Sequence, residues 1–265
     1  MTVARVREIE MAYDDVGRGP TVVLLHGYPF NRSMWRELSA ALSANYRVIT
    51  PDLRGLGETS VTPETATMNE MARDVAALLD KLDIRRVTLG GLSMGGYVTL
   101  AFYRRFPLRT RALILADTRP QADSAEAQRN REEQAEKILK EGMQSIADDF
   151  LKKVLTTETL NEKPETVERV REMILKTDPQ GAANALRGMA VRHDQTDFLE
   201  EIFVPALILV GSEDQLTPPS DAELMKREIR GSRLEIIEGA SHLSNLERPA
   251  EFNLVVKSFL DALQP

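Results

Sequence analysis

The chain has 265 residues, 42% of them hydrophobic, and a formal net charge of −7. That length holds one large α/β domain or two small ones, with enough apolar residues to bury a full core. The acidic balance argues against nucleic acid or an anionic membrane as the main partner. The absence of cysteine removes disulfides, a thiolate nucleophile and zinc–thiolate sites, and His26, His193 and His242 are too few for a histidine-rich metal site.

In chain order, Val3–Val16 alternates apolar and charged residues and reads as an antiparallel hairpin at a sheet edge. It lacks the continuous apolar core of a signal peptide. No run approaches the roughly 18 apolar residues that span a bilayer. A cytoplasmic protein is therefore the expectation.

Short apolar runs follow at Thr21–Leu25, Tyr46–Thr50, Arg86–Leu89 and Ala112–Ala116, and again at Ala206–Val210 and Leu234–Ile237. They are rich in Val, Ile and Leu on both faces, which predicts a parallel sheet covered by helices on each side. Helical patterns lie between them. Thr67 and Glu70 have capping-box spacing, and Met71, Val75, Leu78, Leu79 and Leu82 then recur at helical period. Ser220 and Glu223 repeat the capping-box spacing, and Phe252, Val255, Val256, Phe259, Leu260 and Leu263 form an apolar stripe. Strands alternating with helices predict a doubly wound α/β fold.

Residues 119–204 break the alternation. The segment is helical in pattern, with 13 Lys/Arg against 18 Asp/Glu, and Pro164 and Pro179 punctuate it. The expectation is a core of residues 1–118 and 205–265 with a helical cap, 119–204, folded over the carboxyl edge of the sheet. Ligands bind at that edge in open α/β sheets.

The strongest chemical signal is Gly91-Leu92-Ser93-Met94-Gly95, between the strand at Arg86–Leu89 and the helical pattern Tyr97, Leu100, Ala101. It fits the G-x-S-x-G nucleophile elbow. Side chains at positions 91 or 95 would crowd the tight strand–helix crossing. A serine hydroxyl needs a base to take its proton, and His242, in the loop after Leu234–Ile237, is the candidate. His193 falls in the cap segment and reads as a surface or pocket-lining residue. The base in turn needs a buried carboxylate. Asp214 follows strand Ala206–Val210 and completes the order Ser93, Asp214, His242; Asp117, at the end of Ala112–Ala116, is the runner-up. Glu213 should point away from its neighbour. Charge developing on a carbonyl oxygen requires waiting N–H donors. The Met94 amide, at a helix N-terminus, and the Tyr28 amide, in His26-Gly27-Tyr28-Pro29, are the candidates; Pro29 has no N–H. Phe30, Trp35, Leu216, Phe150 and Phe198 are candidate pocket residues.

With these four motifs in place — His26–Pro29, Gly91–Gly95, Gly211–Asp214 followed by Pro218, and Gly239–His242 — the sequence resembles the α/β-hydrolase superfamily over its whole length. Asp52-Leu53-Arg54-Gly55-Leu56-Gly57 is similar to a structural turn of that superfamily, and Glu58-Thr59-Ser60 departs slightly from its spacing. The resemblance is strongest to the capped group of carboxylesterases, 3-oxoadipate enol-lactonases, acyl-homoserine lactonases and cofactor-free haloperoxidases, or perhydrolases. It implies hydrolysis of a small-molecule ester or lactone through an acyl-enzyme, with no metal or organic cofactor. Use of peroxide as acyl acceptor, a ligand receptor that keeps the triad, and carbon–carbon bond hydrolysis set by residues of the cap are the alternatives. Relatives acting on haloalkanes or epoxides carry aspartate where this chain has Ser93.

Overall fold

A computed structural model describes residues 2–263. Strands β1 (Thr2–Val6) and β2 (Ile9–Val16) pair antiparallel at one edge, as the alternation at Val3–Val16 predicts. The alternating part runs β3 (Thr21–Leu25), α1 (Arg36–Leu42), β4 (Arg47–Pro51), α2 (Met68–Lys81), β5 (Val87–Leu92), α3 (Met94–Arg105) and β6 (Thr110–Ala116). A helical run follows: α4 (Ala125–Glu141), α5 (Gln144–Val154), α6 (Thr157–Glu162), α7 (Pro164–Leu175) and α8 (Pro179–Ala190). The alternation then resumes with β7 (Ala206–Gly211), α9 (Pro219–Glu228), β8 (Arg233–Ile237), α10 (Ser244–Glu247) and α11 (Pro249–Ala262).

The described strands form one eight-stranded sheet in the order β1-β2-β4-β3-β5-β6-β7-β8, with every pair from β4 to β8 parallel. Every residue of β5 and β7 is buried, as expected of strands covered on both faces. Edge strand β8 is buried only at Ile237. This is an α/β-hydrolase fold. From β3 the chain moves outward to β4, then returns to β5 on the other side of β3. That reversal opens a crevice at the carboxyl ends of β3 and β5, where Leu25 pairs with Gly91.

Two local expectations need correcting. β5 does not stop at Leu89 but continues through Gly90 and Gly91 to Leu92. A Cβ at Gly90 would lie 3.0 Å from Leu24 and 3.2 Å from Ile114, so the glycine admits neighbouring side chains rather than ending the strand. Ser220 is not a cap, because α9 already begins at Pro219, with Pro218 in the N-cap position. Thr67 does cap α2, its Oγ1 accepting from the Glu70 amide at 3.2 Å.

The helices between β6 and β7 rest on the core at specific points. Thr177 Oγ1 donates to the Pro29 carbonyl at 2.6 Å. α8 meets the core backbone to backbone at two glycines. A Cβ at Gly181 would sit 1.7 Å from the Gly55 carbonyl oxygen, and one at Gly188 would sit 1.9 Å from that of Ala66. Neither position has room for any side chain.

Candidate active site

Ser93 sits in the turn between β5 and α3 with φ 54° and ψ −116°. A non-glycine residue rarely adopts a positive φ, and it persists only where its surroundings fix it. Here the Ser93 amide donates to the Ala116 carbonyl at 3.0 Å, and the Thr118 hydroxyl donates to the Ser93 carbonyl at 2.8 Å. The flanking glycines are sterically required. A Cβ at Gly91 would lie 2.1 Å from the Gly95 carbonyl oxygen, and one at Gly95 would lie 2.2 Å from that of Leu25.

The turn brings the Ser93 hydroxyl to 2.8 Å from His242 Nε2. On the other side of the ring, His242 Nδ1 lies 2.8 Å from Asp214 Oδ2. An ionised carboxylate only accepts, so Nδ1 carries the proton and Nε2 is free to accept from Ser93. Asp214 Oδ1 accepts the amides of Leu216 at 2.8 Å and Thr217 at 3.0 Å, and the Thr217 hydroxyl donates to Oδ2 at 2.7 Å. Burial pushes the Asp214 carboxyl up, but the facing His242 and the Thr217 donors outweigh it and hold the group below the usual carboxylate range. Thr217 has no counterpart in the sequence reading, since a lone threonine three residues after an aspartate carries no signal by itself.

Asp117 is also buried at a strand end, but its contacts differ. It accepts from the Gly211 amide at 2.9 Å and from the Ser244 hydroxyl at 2.5 Å. Burial, with the negative charges of Asp214 and Glu247 nearby, pushes its carboxyl well above the usual range. It braces the loops behind the histidine.

The loop after β3 lies against Ser93, since a Cβ at Gly27 would be 3.4 Å from Ser93 Cβ. His26 holds this loop from within. Its Nδ1 donates to the Gly27 carbonyl and its Nε2 accepts from the Leu53 amide, both at 2.9 Å. Burial lowers its pKa and keeps the ring neutral. The Tyr28 amide, next in the loop, donates to no other group among the described residues. Met94 is the first residue of α3, so its amide has no helical carbonyl four residues behind it.

The candidate pocket residues separate. Phe150 of α5 meets Tyr28 edge-on and Phe30 at a tilt, each with ring centroids 6.1 Å apart. Leu216 is half-buried on the Asp214 loop. Trp35 packs into the core against Phe252 of α11. Phe198 corrects the expectation: its ring meets Tyr103 and Arg104 at the other end of α3, roughly 15 Å along the helix from Ser93. His193 is exposed on a separate cavity of about 240 Å³ lined by Tyr97, Leu100, Arg119 and Arg192. Asp52 accepts from the amides of Arg32 at 2.7 Å and Glu58 at 2.9 Å and organises its own turn, as its motif predicts.

The family description "alpha/beta hydrolase fold" matches residues 20–249. The chain belongs to this family. Among solved structures, this hydrolase superimposes on a thermophilic esterase from Thermogutta terrifontis, with malate bound, at TM-score 0.98 and 40% identity over 100% of both chains. It matches the enol-lactonase from Burkholderia xenovorans LB400 at TM-score 0.93 and 31% identity, covering 98% of this chain and 100% of that one. In sequence it is 29% identical over 256 residues to 3-oxoadipate enol-lactonase 2 of Acinetobacter baylyi, covering 96% of this chain and 94% of that protein. The hydrolase is thus close to enol-lactonases and esterases. No helix among its described residues is long and apolar enough to cross a membrane.

Proposed function

We propose that the protein hydrolyses carboxylic esters or lactones through a Ser93–His242–Asp214 triad and a covalent acyl-enzyme. The observation that carries this reading is the unbroken relay of 2.8 Å contacts from the Ser93 hydroxyl through both ring nitrogens of His242 to Asp214. Ser93 Oγ attacks the carbonyl carbon while His242 Nε2 takes its proton. The oxyanion is received by the amides of Tyr28 and Met94. His242 then protonates the departing alcohol oxygen, and the acyl group stays on Ser93. Water, deprotonated by the same nitrogen, attacks the acyl carbon; the bond to Ser93 Oγ breaks, the proton returns from His242 to that oxygen, and the acid is released. Asp214 stays ionised throughout and stabilises the imidazolium formed at each step.

Residues 119–204 form the cap in this reading. Support comes from the contacts of α5 and of the α7–α8 turn with the loop that carries Tyr28, made through Phe150 and Thr177. Phe150, Phe30 and Leu216 then wall an apolar acyl pocket. The likeness to an esterase and to enol-lactonases favours small esters and lactones as substrates. The test is a panel of p-nitrophenyl esters of graded chain length together with lactones, run with wild type and Ser93→Ala. Turnover on at least one class, lost in the variant, supports the reading. No turnover on any compound by the wild type would sink it and point to a non-hydrolytic ligand receptor.

A further inference from the structure

His242 must hold its ring between two partners, yet it sits on a loop with little regular structure of its own. The amides on either side of it show how the loop is held. The Ser241 amide donates to Glu247 Oε2 at 2.6 Å, and the Leu243 amide donates to the Val154 carbonyl at 3.2 Å. The other oxygen of Glu247, Oε1, accepts the Thr156 amide at 2.8 Å and the Thr156 hydroxyl at 2.9 Å. Val154 and Thr156 belong to the junction between α5 and α6, inside the helical insertion. One carboxylate therefore ties the residue before the histidine to the insertion, and the residue after the histidine is tied there directly.

Glu247 is only 2% exposed; among the described residues no cation forms a close ion pair with its carboxylate, the Arg248 charge acting on it only from a distance. A buried carboxylate without a close ion pair is costly to keep, and its full set of neutral donors only partly offsets that cost. Hydrophobic packing alone would be served as well by leucine. What leucine cannot do is accept from two backbone segments at once. A glutamine cannot replace it cleanly either, because one of its two ends is an NH₂ donor and would face another N–H. Outside this buried link, Lys163 Nζ donates to the Glu247 carbonyl at 3.0 Å, and Arg248 pairs with Glu158 at 2.9 Å. The exposed Arg248–Glu158 pair is the weaker part of the seam.

We propose that Glu247 is a positioning residue that couples the placement of the α5–α6 junction to the placement of His242. The insertion then acts on the chemical step as well as on substrate fit. α5, which leads into Val154, also carries Phe150, so a substrate that displaces this helix also moves the base. The inference rests on His242 acting as the base.

The test uses the full chain and one activated ester. Glu247→Gln is expected to lower kcat by about 10²-fold, the scale on which small misplacements of reacting groups act, with KM little changed. Thr156→Val removes the hydroxyl link from the insertion side together with the N-cap of α6, where the Thr159 amide donates to Thr156 Oγ1 at 3.1 Å; Thr156→Ser keeps both, so the His242 Nδ1 resonance is the readout that loss of the cap alone would not move. The expected result is a clear fall in kcat for the valine variant and recovery in the serine variant. In both impaired variants the low-field Nδ1 proton resonance of His242 should shift or broaden. If Glu247→Gln does not fold, the Thr156 pair decides the matter. Unchanged kcat in Thr156→Val, or equal losses in valine and serine variants with an unmoved Nδ1 resonance, would overturn the proposal. His242→Ala separates this outcome from failure of the triad itself: full activity there removes the underlying reading, whereas loss there with intact kcat in the Thr156 variants removes only the coupling.

Discussion

The Thr217 hydroxyl donates to Asp214 Oδ2 at 2.7 Å while its oxygen lies 3.3 Å from His242 Nδ1, so it sits at the junction of the carboxylate and the imidazole. Its donation fixes which lone pair of Oδ2 is left for the imidazole. Hydrogen bonds to charged groups contribute about 1.5–3 kcal/mol, so Thr217→Val is expected to lower kcat by roughly 10-fold or somewhat more. KM on a simple ester should hold. Steady-state kinetics of the purified variant check this, and a wild-type kcat would show that Asp214 is held by its backbone donors alone.

Ser93→Ala should abolish turnover with the fold retained, a loss on the order of 10⁶ by comparison with other triads. The positive φ at this position is fixed by the Ala116 carbonyl and the Thr118 hydroxyl, neither of which contacts the serine side chain. Labelling with an organophosphate followed by peptide mass analysis should find the adduct on Ser93 alone. An adduct on another serine moves the nucleophile.

Asp214→Asn and Asp117→Asn should part company. At Asp214 an amide favours the wrong imidazole tautomer, a loss of roughly 10⁴ in comparable enzymes. At Asp117 the amide oxygen can still accept from Gly211, and its NH₂ can donate to Ser244 Oγ, so turnover should survive. The pH dependence of stability gives a second check. Because the folded-state pKa of Asp117 is raised, the folded protein keeps a proton that the unfolded chain releases above about pH 3.9. Stability from this group therefore declines as pH rises through the raised value. Asp117→Asn cannot ionise, so its stability relative to wild type should improve between pH 5 and pH 8. Urea denaturation at both pH values measures it, and the opposite trend would mean that Asp117 is charged in the folded state.

His26 gives the reverse sign. Burial depresses its folded-state pKa, so its contribution is complete above the unfolded value of about 6.5 and is lost as pH falls through that region. The expected slope is about 1.4 kcal/mol per pH unit for one proton. His26→Gln, whose side-chain oxygen can still accept from Leu53, should flatten the slope below pH 6.5. An unaltered slope would assign the acid sensitivity to other groups.

Phe150→Ala should change which acyl chains are preferred more than it changes the best achievable turnover. The ring packs on Tyr28 and Phe30, so its removal enlarges the space beside the loop carrying the proposed oxyanion donor. A methylene-sized change in such a wall is worth about 1–3 kcal/mol of discrimination. kcat/KM across short and long acyl esters is the measurement. A uniform loss on all of them would recast Phe150 as a support for the loop.

The parts of the site that were legible in the sequence share one property: local chemistry marks them. Ser93 stands between glycines that nothing larger can replace, Asp214 follows the buried aliphatic run of β7, and His242 follows the shorter aliphatic stretch that ends β8 at Ile237. Thr217 and Glu247 had no such mark. Their roles arise from contacts between segments far apart in the chain, Glu247 reaching Thr156 across 91 positions. Phe198 was misplaced for the same reason, because an aromatic residue in a helical segment does not reveal which end of α3 it will meet. Strand β5 ran longer than its aliphatic stretch because Gly90 and Gly91 yield space to neighbours, which composition alone reads as a turn.

Gly181 and Gly188 put the backbone of α8 directly on the carbonyls of Gly55 and Ala66. This flank of the insertion consequently has a fixed stand-off from the β4–α2 connection, with no side chain as spacer. Diversified libraries aimed at the insertion should leave both positions untouched. Conversely, a single alanine at 181 or 188 would wedge the helix away from the Gly55 and Ala66 backbone and loosen the insertion there without replacing any residue of the Ser93–His242–Asp214 cluster.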